Sequence, residues 1–96
     1  MEFEWDAEKS EQCFAERGFD FAFVTHAFLD EFRQVRVDHR WDYGETRHIL
    51  HGKIDNRLFV VVFTRRAGKT RIISARKANR REVADYERRN RGNRSR

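Results

Sequence analysis

Arginines crowd one junction of this chain. In Arg71-Ile72-Ile73-Ser74-Ala75-Arg76-Lys77-Ala78-Asn79-Arg80-Arg81-Glu82 a β-branched run passes without a break into the start of a charged helix. Guanidinium groups stand before, at and after the change of structure. A helix start adds backbone N–H groups that have no partner within the helix. Both kinds of donor suit phosphate oxygens, one through its planar fork and the other through the helix dipole. The chemistry indicated is the binding of a polyanion, with stabilisation of charge on phosphorus if a reaction takes place there. A two-residue period places Arg71, Ile73 and Ala75 on one face and Ile72, Ser74 and Arg76 on the other, so Ser74 and Arg76 can address one phosphate. Arg80 and Arg81 fall in the first helical turn, where cations oppose the dipole at a cost of about a few tenths of a kcal/mol unless an anion is bound. The alternative is that both are solvated surface residues.

Other residues could contribute. Arg65 and Arg66 end the most apolar segment and point to opposite faces, so at most one serves a given cleft. Tyr86 lies on a helical stripe with Glu82 and Val83, where a phenol could donate a proton, stack on a base, or simply fill the core. His48 and His51 are three apart in an extended segment, hence on opposite faces, a poor arrangement for a shared metal. Either could act singly as a general acid or base. Cys13 is alone, so it has neither a disulfide partner nor companion zinc ligands. Phosphate-binding glycine loops, dinucleotide fingerprints, HExxH and nucleophile elbows are all absent from the sequence. NTP-driven and metal-dependent chemistry are therefore not expected, and no cofactor is.

The elements that must position these groups can be read from caps and periodicity. Residues 2–5 alternate charged and aromatic, as a short strand does. Asp6 reads as an N-cap, Ala7 to Arg17 as a helix, and Gly18 as its stop. Asp20 caps a second helix reaching about Phe28, with Phe19 able to staple onto Val24 and with Phe21, Val24 and Phe28 on a buried face. Strands follow at 32–38 and 47–52, with turns at 38–44 and 53–56. The run 58–64, apolar on both faces, reads as the central strand. A turn at 67–69 leads into a strand at 70–75. Asn79 and Glu82 then form a capping box for a last helix reaching about Glu87 or Arg89. The expected fold is α+β: a small antiparallel sheet with two N-terminal helices and one C-terminal helix, the helices on one face. One domain is expected over residues 1–88, with a basic, disordered tail at 89–96.

Charge is distributed unevenly. Residues 64–96 carry 13 Lys/Arg against 3 Asp/Glu, whereas residues 1–63 carry 8 against 13. A pI near 10 with this asymmetry favours a polyanionic partner, RNA or DNA. The acidic start of the sequence, the lack of a long apolar run and the lone cysteine together suggest a cytoplasmic protein with no membrane partner.

Several of these segments resemble the BrnT toxins of bacterial type II toxin–antitoxin systems. They are Phe3-Glu4-Trp5-Asp6, the Gly18-Phe19-Asp20-Phe21 entry to the second helix, Gly44-Glu45-Thr46-Arg47 and the 58–64 strand. Arg71-Ile72-Ile73-Ser74-Ala75-Arg76, with Ala78, Glu82 and Tyr86 following, completes the set. Glu16-Arg17-Gly18 stands where the family usually has Lys-His-Gly, and Thr64-Arg65-Arg66 where Thr-Glu-Arg is common. The resemblance implies a RelE-like ribonuclease fold, metal-independent RNA cleavage that halts growth, and neutralisation by a BrnA-type antitoxin in a hetero-oligomer of two copies each. It further implies repression of the toxin's own operon, with operator DNA contacted only through the antitoxin.

On that basis the expected reaction is attack of an RNA 2′-hydroxyl on its own phosphodiester, with cations stabilising the phosphorane. Arg76 and Arg47 are the first candidates for that role and Arg65 the third. Glu45, oriented by Arg47, is the nearest candidate base, and Tyr86 or His51 a candidate acid. Arg66, Arg71, Ser74, Lys77, Arg80 and Arg81 would hold the RNA backbone. The competing expectation is a non-catalytic basic module that binds RNA or an acidic protein.

Overall fold

A computed structural model describes residues 1–94, with side chains described to residue 92. The order is β1 (Phe3–Trp5), α1 (Ala7–Arg17), α2 (Phe21–Val24) running on as a 3-10 turn (Thr25–Leu29), β2 (Gln34–Val37), β3 (Arg47–Ile54), β4 (Arg57–Arg66), β5 (Lys69–Lys77) and α3 (Arg80–Arg94). The caps act as the sequence requires. Asp6 accepts hydrogen bonds from the backbone N–H groups of Glu8 and Lys9, and Gly18 closes α1 at φ 83° with its N–H on the Phe14 carbonyl. Asp20 caps α2 by accepting from the Phe23 N–H, but α2 tightens into the 3-10 turn after one turn, so the second helix is shorter than its apolar spacing suggests.

The five strands lie in the order β1-β5-β4-β3-β2. The long central strand β4 pairs antiparallel with β3 and β5, and β2 pairs antiparallel with β3. The hairpin between β4 and β5 turns on Ala67 and Gly68, both at positive φ (49° and 79°), the twist that a two-residue hairpin loop demands. The expected all-antiparallel sheet is corrected at one edge, where β1 pairs parallel with β5, Glu4 opposite Arg71. The short links of the meander say nothing about β1, whose crossover to β5 is made by most of the chain.

The expectation that all helices share one face is also corrected. Cys13, Phe19, Phe21, Val24, Ala27 and Phe28 pack on the β4 side chains Phe59, Val61 and Phe63, with Leu50 and Ile72 beside them. This is the main core. The helix α3 lies on the opposite face, where Ile49, Val60 and Val62 form a small second cluster with Ile73 and Ala78. Gln34 Nε2 donates to the Tyr86 carbonyl and to Asn90 Oδ1, tying α3 to β2. The expected basic tail is helical to Arg94, because Asn90, 2% exposed, is anchored by Gln34 and donates to the Phe32 carbonyl. Residues 95 and 96 lie outside the described residues. No described helix is long and apolar enough to cross a membrane.

Candidate functional site

The face that carries α3 also gathers charge. His51, Val60 and Arg76 are direct cross-strand partners, with Gln34 opposite His51 on β2. The next row holds Arg36, Ile49, Val62 and Ser74. Directly opposite residues share a face, so Arg36, His51, Ser74 and Arg76 all project toward the start of α3. Arg36, Ser74 and Arg76, with Arg40, wall a cavity of about 150 Å³ whose floor is Ile49, Val60 and Val62, and His51 lies outside it, beside Glu82.

Glu82 closes this cavity, and its position follows from the capping box. Asn79 Oδ1 accepts from the Glu82 N–H at 2.8 Å, and Glu82 Oε1 accepts from the Asn79 N–H at 2.9 Å. The same carboxylate takes both terminal nitrogens of Arg76 at 2.8 Å in a fork-to-fork pair. Those Arg76 bonds hold the Glu82 carboxyl down at about 2, helped by the Asn79 N–H, while burial works the other way. Arg76 is correspondingly raised by Glu82. His51 Nε2 lies 3.7 Å from Glu82 Oε2, with its side chain only 14% exposed. Burial pushes the imidazole below its ordinary value; Glu82 pulls it back, and Arg36 and Arg76 push it down again. His51 is therefore neutral near pH 7 and able to accept a proton.

Arg36 has no ion-pair partner among the described residues, so its charge is free for a ligand. Arg40, at the lip of the cavity, is held bidentate by the buried Asp38, whose carboxyl also accepts from the Tyr43 hydroxyl and is pushed well below the usual carboxylate range. The arrangement presents guanidinium groups around an apolar floor, with the His51 imidazole next to the carboxylate that closes it. It can bind a phosphodiester and move a proton next to it.

The remaining candidates separate into places. Arg71 shares the Ser74 and Arg76 face, contrary to the two-residue period. A β-bulge between Val62 and Phe63 pairs Val62 with Ser74 but Phe63 with Ile72, leaving Ile73 unmatched and resetting the alternation. Arg71 nevertheless sits at the far end, in the row of Arg47 and Thr64, and its charge meets Glu4 at 3.4 Å. Glu45 is clamped there by Arg66 at 2.9 Å and Arg47 at 3.3 Å, Arg66 chiefly holding its pKa low, and Arg47 stacks 4.0 Å over the Tyr43 ring. His51 is four steps along β3 from Arg47, about 13 Å at ~3.3 Å per residue. Glu45 and Arg47 thus do not meet Arg76. Arg65 and Lys77 point to the other side of the sheet, Arg65 beside Phe28 and His48 and Lys77 beside Phe19 and Phe59. The Tyr86 hydroxyl donates to Asp30, whose carboxylate also accepts from the N–H groups of Phe32 and Lys53, and the ring is 3% exposed. Arg80 and Arg81 are exposed on the first turn of α3.

In the sequence Glu82 shows itself only as a cap, and Arg36 and Arg40 do not stand out. The signal for Arg36 was present: Val35 and Val37 alternate, which leaves Arg36 on the opposite face. Nothing local shows that Glu82 turns back onto Arg76, because that contact depends on how α3 crosses the sheet.

Arginines, a helix-start carboxylate and a half-buried imidazole thus gather on one sheet face of a small α+β domain. A family model described as ribonuclease toxin, BrnT, of type II toxin–antitoxin system matches residues 5–82, and the chain belongs to that family. A type II toxin has an antitoxin as its partner. A comparison with curated proteins found no match.

Proposed function

We propose that this chain cleaves RNA without a metal at the Arg76–Glu82–His51 cleft, and that a BrnA-type antitoxin neutralises it and joins it in repressing their operon. The observation that carries this reading is that Arg76 and Arg36 line one cavity while Glu82, which takes the Arg76 fork, stands 3.7 Å from the His51 imidazole. Among the described residues no group of three or more His, Cys, Asp or Glu side chains is placed to hold a metal ion. His51 takes the proton of the 2′-hydroxyl, the O2′–P bond forms, and the P–O5′ bond breaks. The leaving 5′-oxygen receives a proton from the imidazolium or from water. The products are a 2′,3′-cyclic phosphate and a 5′-hydroxyl. Arg76 and Arg36 stabilise the phosphorane oxygens, and Glu82 fixes the Arg76 fork. The Glu45–Arg47–Arg66 cluster and Arg71 hold the RNA backbone farther along the same face. This assignment moves the base from Glu45 to His51, because Glu45 lies at the other end of the sheet.

The test is incubation of purified protein with single-stranded RNA, with and without EDTA. Cleavage that survives EDTA and leaves cyclic-phosphate ends is expected. Arg76→Ala should keep the circular dichroism of the wild type and lose roughly 10²- to 10³-fold in rate, as removal of one donor to a developing oxyanion does. Cleavage by the folded variant at the wild-type rate would sink the assignment.

A further inference from the structure

Beside the cleavage cavity lies a second hollow of about 170 Å³, between the β2–β3 edge and α3. It is lined by Gln34, Arg36, His51, Glu82, Asp85, Tyr86 and Arg89, and so shares Arg36 and Glu82 with the first. Its size is below the ~300–1,000 Å³ of pockets that enclose a whole drug-sized ligand. One planar group next to a bound phosphate is what it accommodates.

The polar lining is specific in sign. Gln34 spends its amide N–H groups on the Tyr86 carbonyl and Asn90 Oδ1, which leaves its carbonyl oxygen as an acceptor. Asp85 engages Arg88 through Oδ1 at 2.7 Å, leaving Oδ2. The Glu82 carboxylate at the hollow's edge is taken up by Arg76 and the Asn79 N–H, so Gln34 and Asp85 are the two acceptors with capacity to spare, while Arg36 on the sheet side and Arg89 on the α3 side supply guanidinium planes. Single-stranded RNA bases stack on such planes and are read along their Watson–Crick edges. Guanine offers two adjacent donors there, N1–H and the 2-amino group. Adenine would turn its N1 acceptor against a carboxylate. Arginine is in addition a favoured partner of guanine O6 and N7.

We infer that this hollow is a nucleobase subsite selecting guanine beside the cleaved bond, with Asp85 and Gln34 reading its donor edge and Arg36 and Arg89 stacking on it. The inference rests on the ribonuclease reading above for its place next to a scissile phosphate. The test uses short single-stranded RNAs that carry one guanosine, inosine or adenosine in an otherwise uridine background. Cleavage and binding by fluorescence anisotropy are both measured. A good two-point base contact discriminates by roughly 5- to 150-fold, so guanosine should exceed adenosine by at least about 5-fold. Inosine, which lacks the 2-amino group, should fall between. Asp85→Asn, checked for folding by circular dichroism, should bring the guanosine-to-adenosine ratio close to one, and Arg89→Gln should weaken guanosine binding. Equal treatment of guanosine and adenosine by the wild type, in cleavage and in binding, overturns the subsite. So does an unchanged ratio in folded Asp85→Asn. Guanosine-selective binding without any cleavage would uphold the subsite and overturn the nuclease reading alone.

Discussion

Replacing Glu82 by Gln isolates the carboxylate that joins the start of α3 to the end of β5. The side chain keeps its shape and one carbonyl acceptor for the Asn79 N–H, but loses the charge that meets Arg76. In the wild type the Glu82 carboxyl is held at about 2 against an ordinary 4.5, first of all by its two Arg76 hydrogen bonds. At about 1.4 kcal/mol per tenfold change in proton affinity this gap sets a ceiling of ~3 kcal/mol. The pair is open to water, Glu82 being 20% and Arg76 47% exposed, and screening brings the expected contribution to about 1–2 kcal/mol. The folded value lies below the unfolded one, so the stabilisation is complete above about pH 4.5 and is lost as the pH falls toward about 2. Urea unfolding at a series of pH values should therefore show Glu82→Gln less stable by about 1–2 kcal/mol at pH 7, with the gap closing between pH 4.5 and 2. Asp30, Asp38 and Glu45 are also held low and steepen the acid response of both proteins. Only the difference between the two curves reports on Glu82. Parallel curves across that pH range would show that the fork with Arg76 stabilises nothing.

Two further outcomes are expected. If His51 is the base, the cleavage rate should rise with pH along a limb centred below 6.5, the side to which burial moves the imidazole, and His51→Ala should remove the limb; a limb centred above 6.5 would contradict the stated environment. Gly52→Ala should destabilise the fold by about 1–3 kcal/mol in thermal or urea unfolding, since an added Cβ would stand 2.4 Å from the Ala27 carbonyl oxygen, and a loss under ~0.5 kcal/mol would mean that the 3-10 turn yields.

The parts of this molecule that local chemistry decides were readable. Asp6, Asp20, Gly18 and the Asn79–Glu82 box have the capping roles that their residue types require, and the doubly apolar β4 is the central strand. What escaped was non-local. A three-residue strand gives no sign of its partner, so the parallel β1–β5 edge was not legible. A bulge is invisible to a simple alternation count, and that hid the face of Arg71. The site was half legible: the Ser74–Arg76 pairing was foreseen. The carboxylate and imidazole that complete it come from α3 and β3, and only tertiary packing brings them there.

The parallel pairing of β1 with β5 also orders events in time. Phe3 to Trp5 pair with Thr70 to Ile72, so the place of the first strand in the sheet exists only once the fifth has formed. Closing so long a loop costs entropy that a three-residue ladder repays poorly on its own, and Phe3 must add its edge contact with Phe28, 5.0 Å between ring centres. The β3–β4–β5 meander, made of neighbours in sequence, can assemble first. The N-terminal strand is therefore a cover for the β5 edge: without it the backbone of residues 70–72 would lie open to another strand.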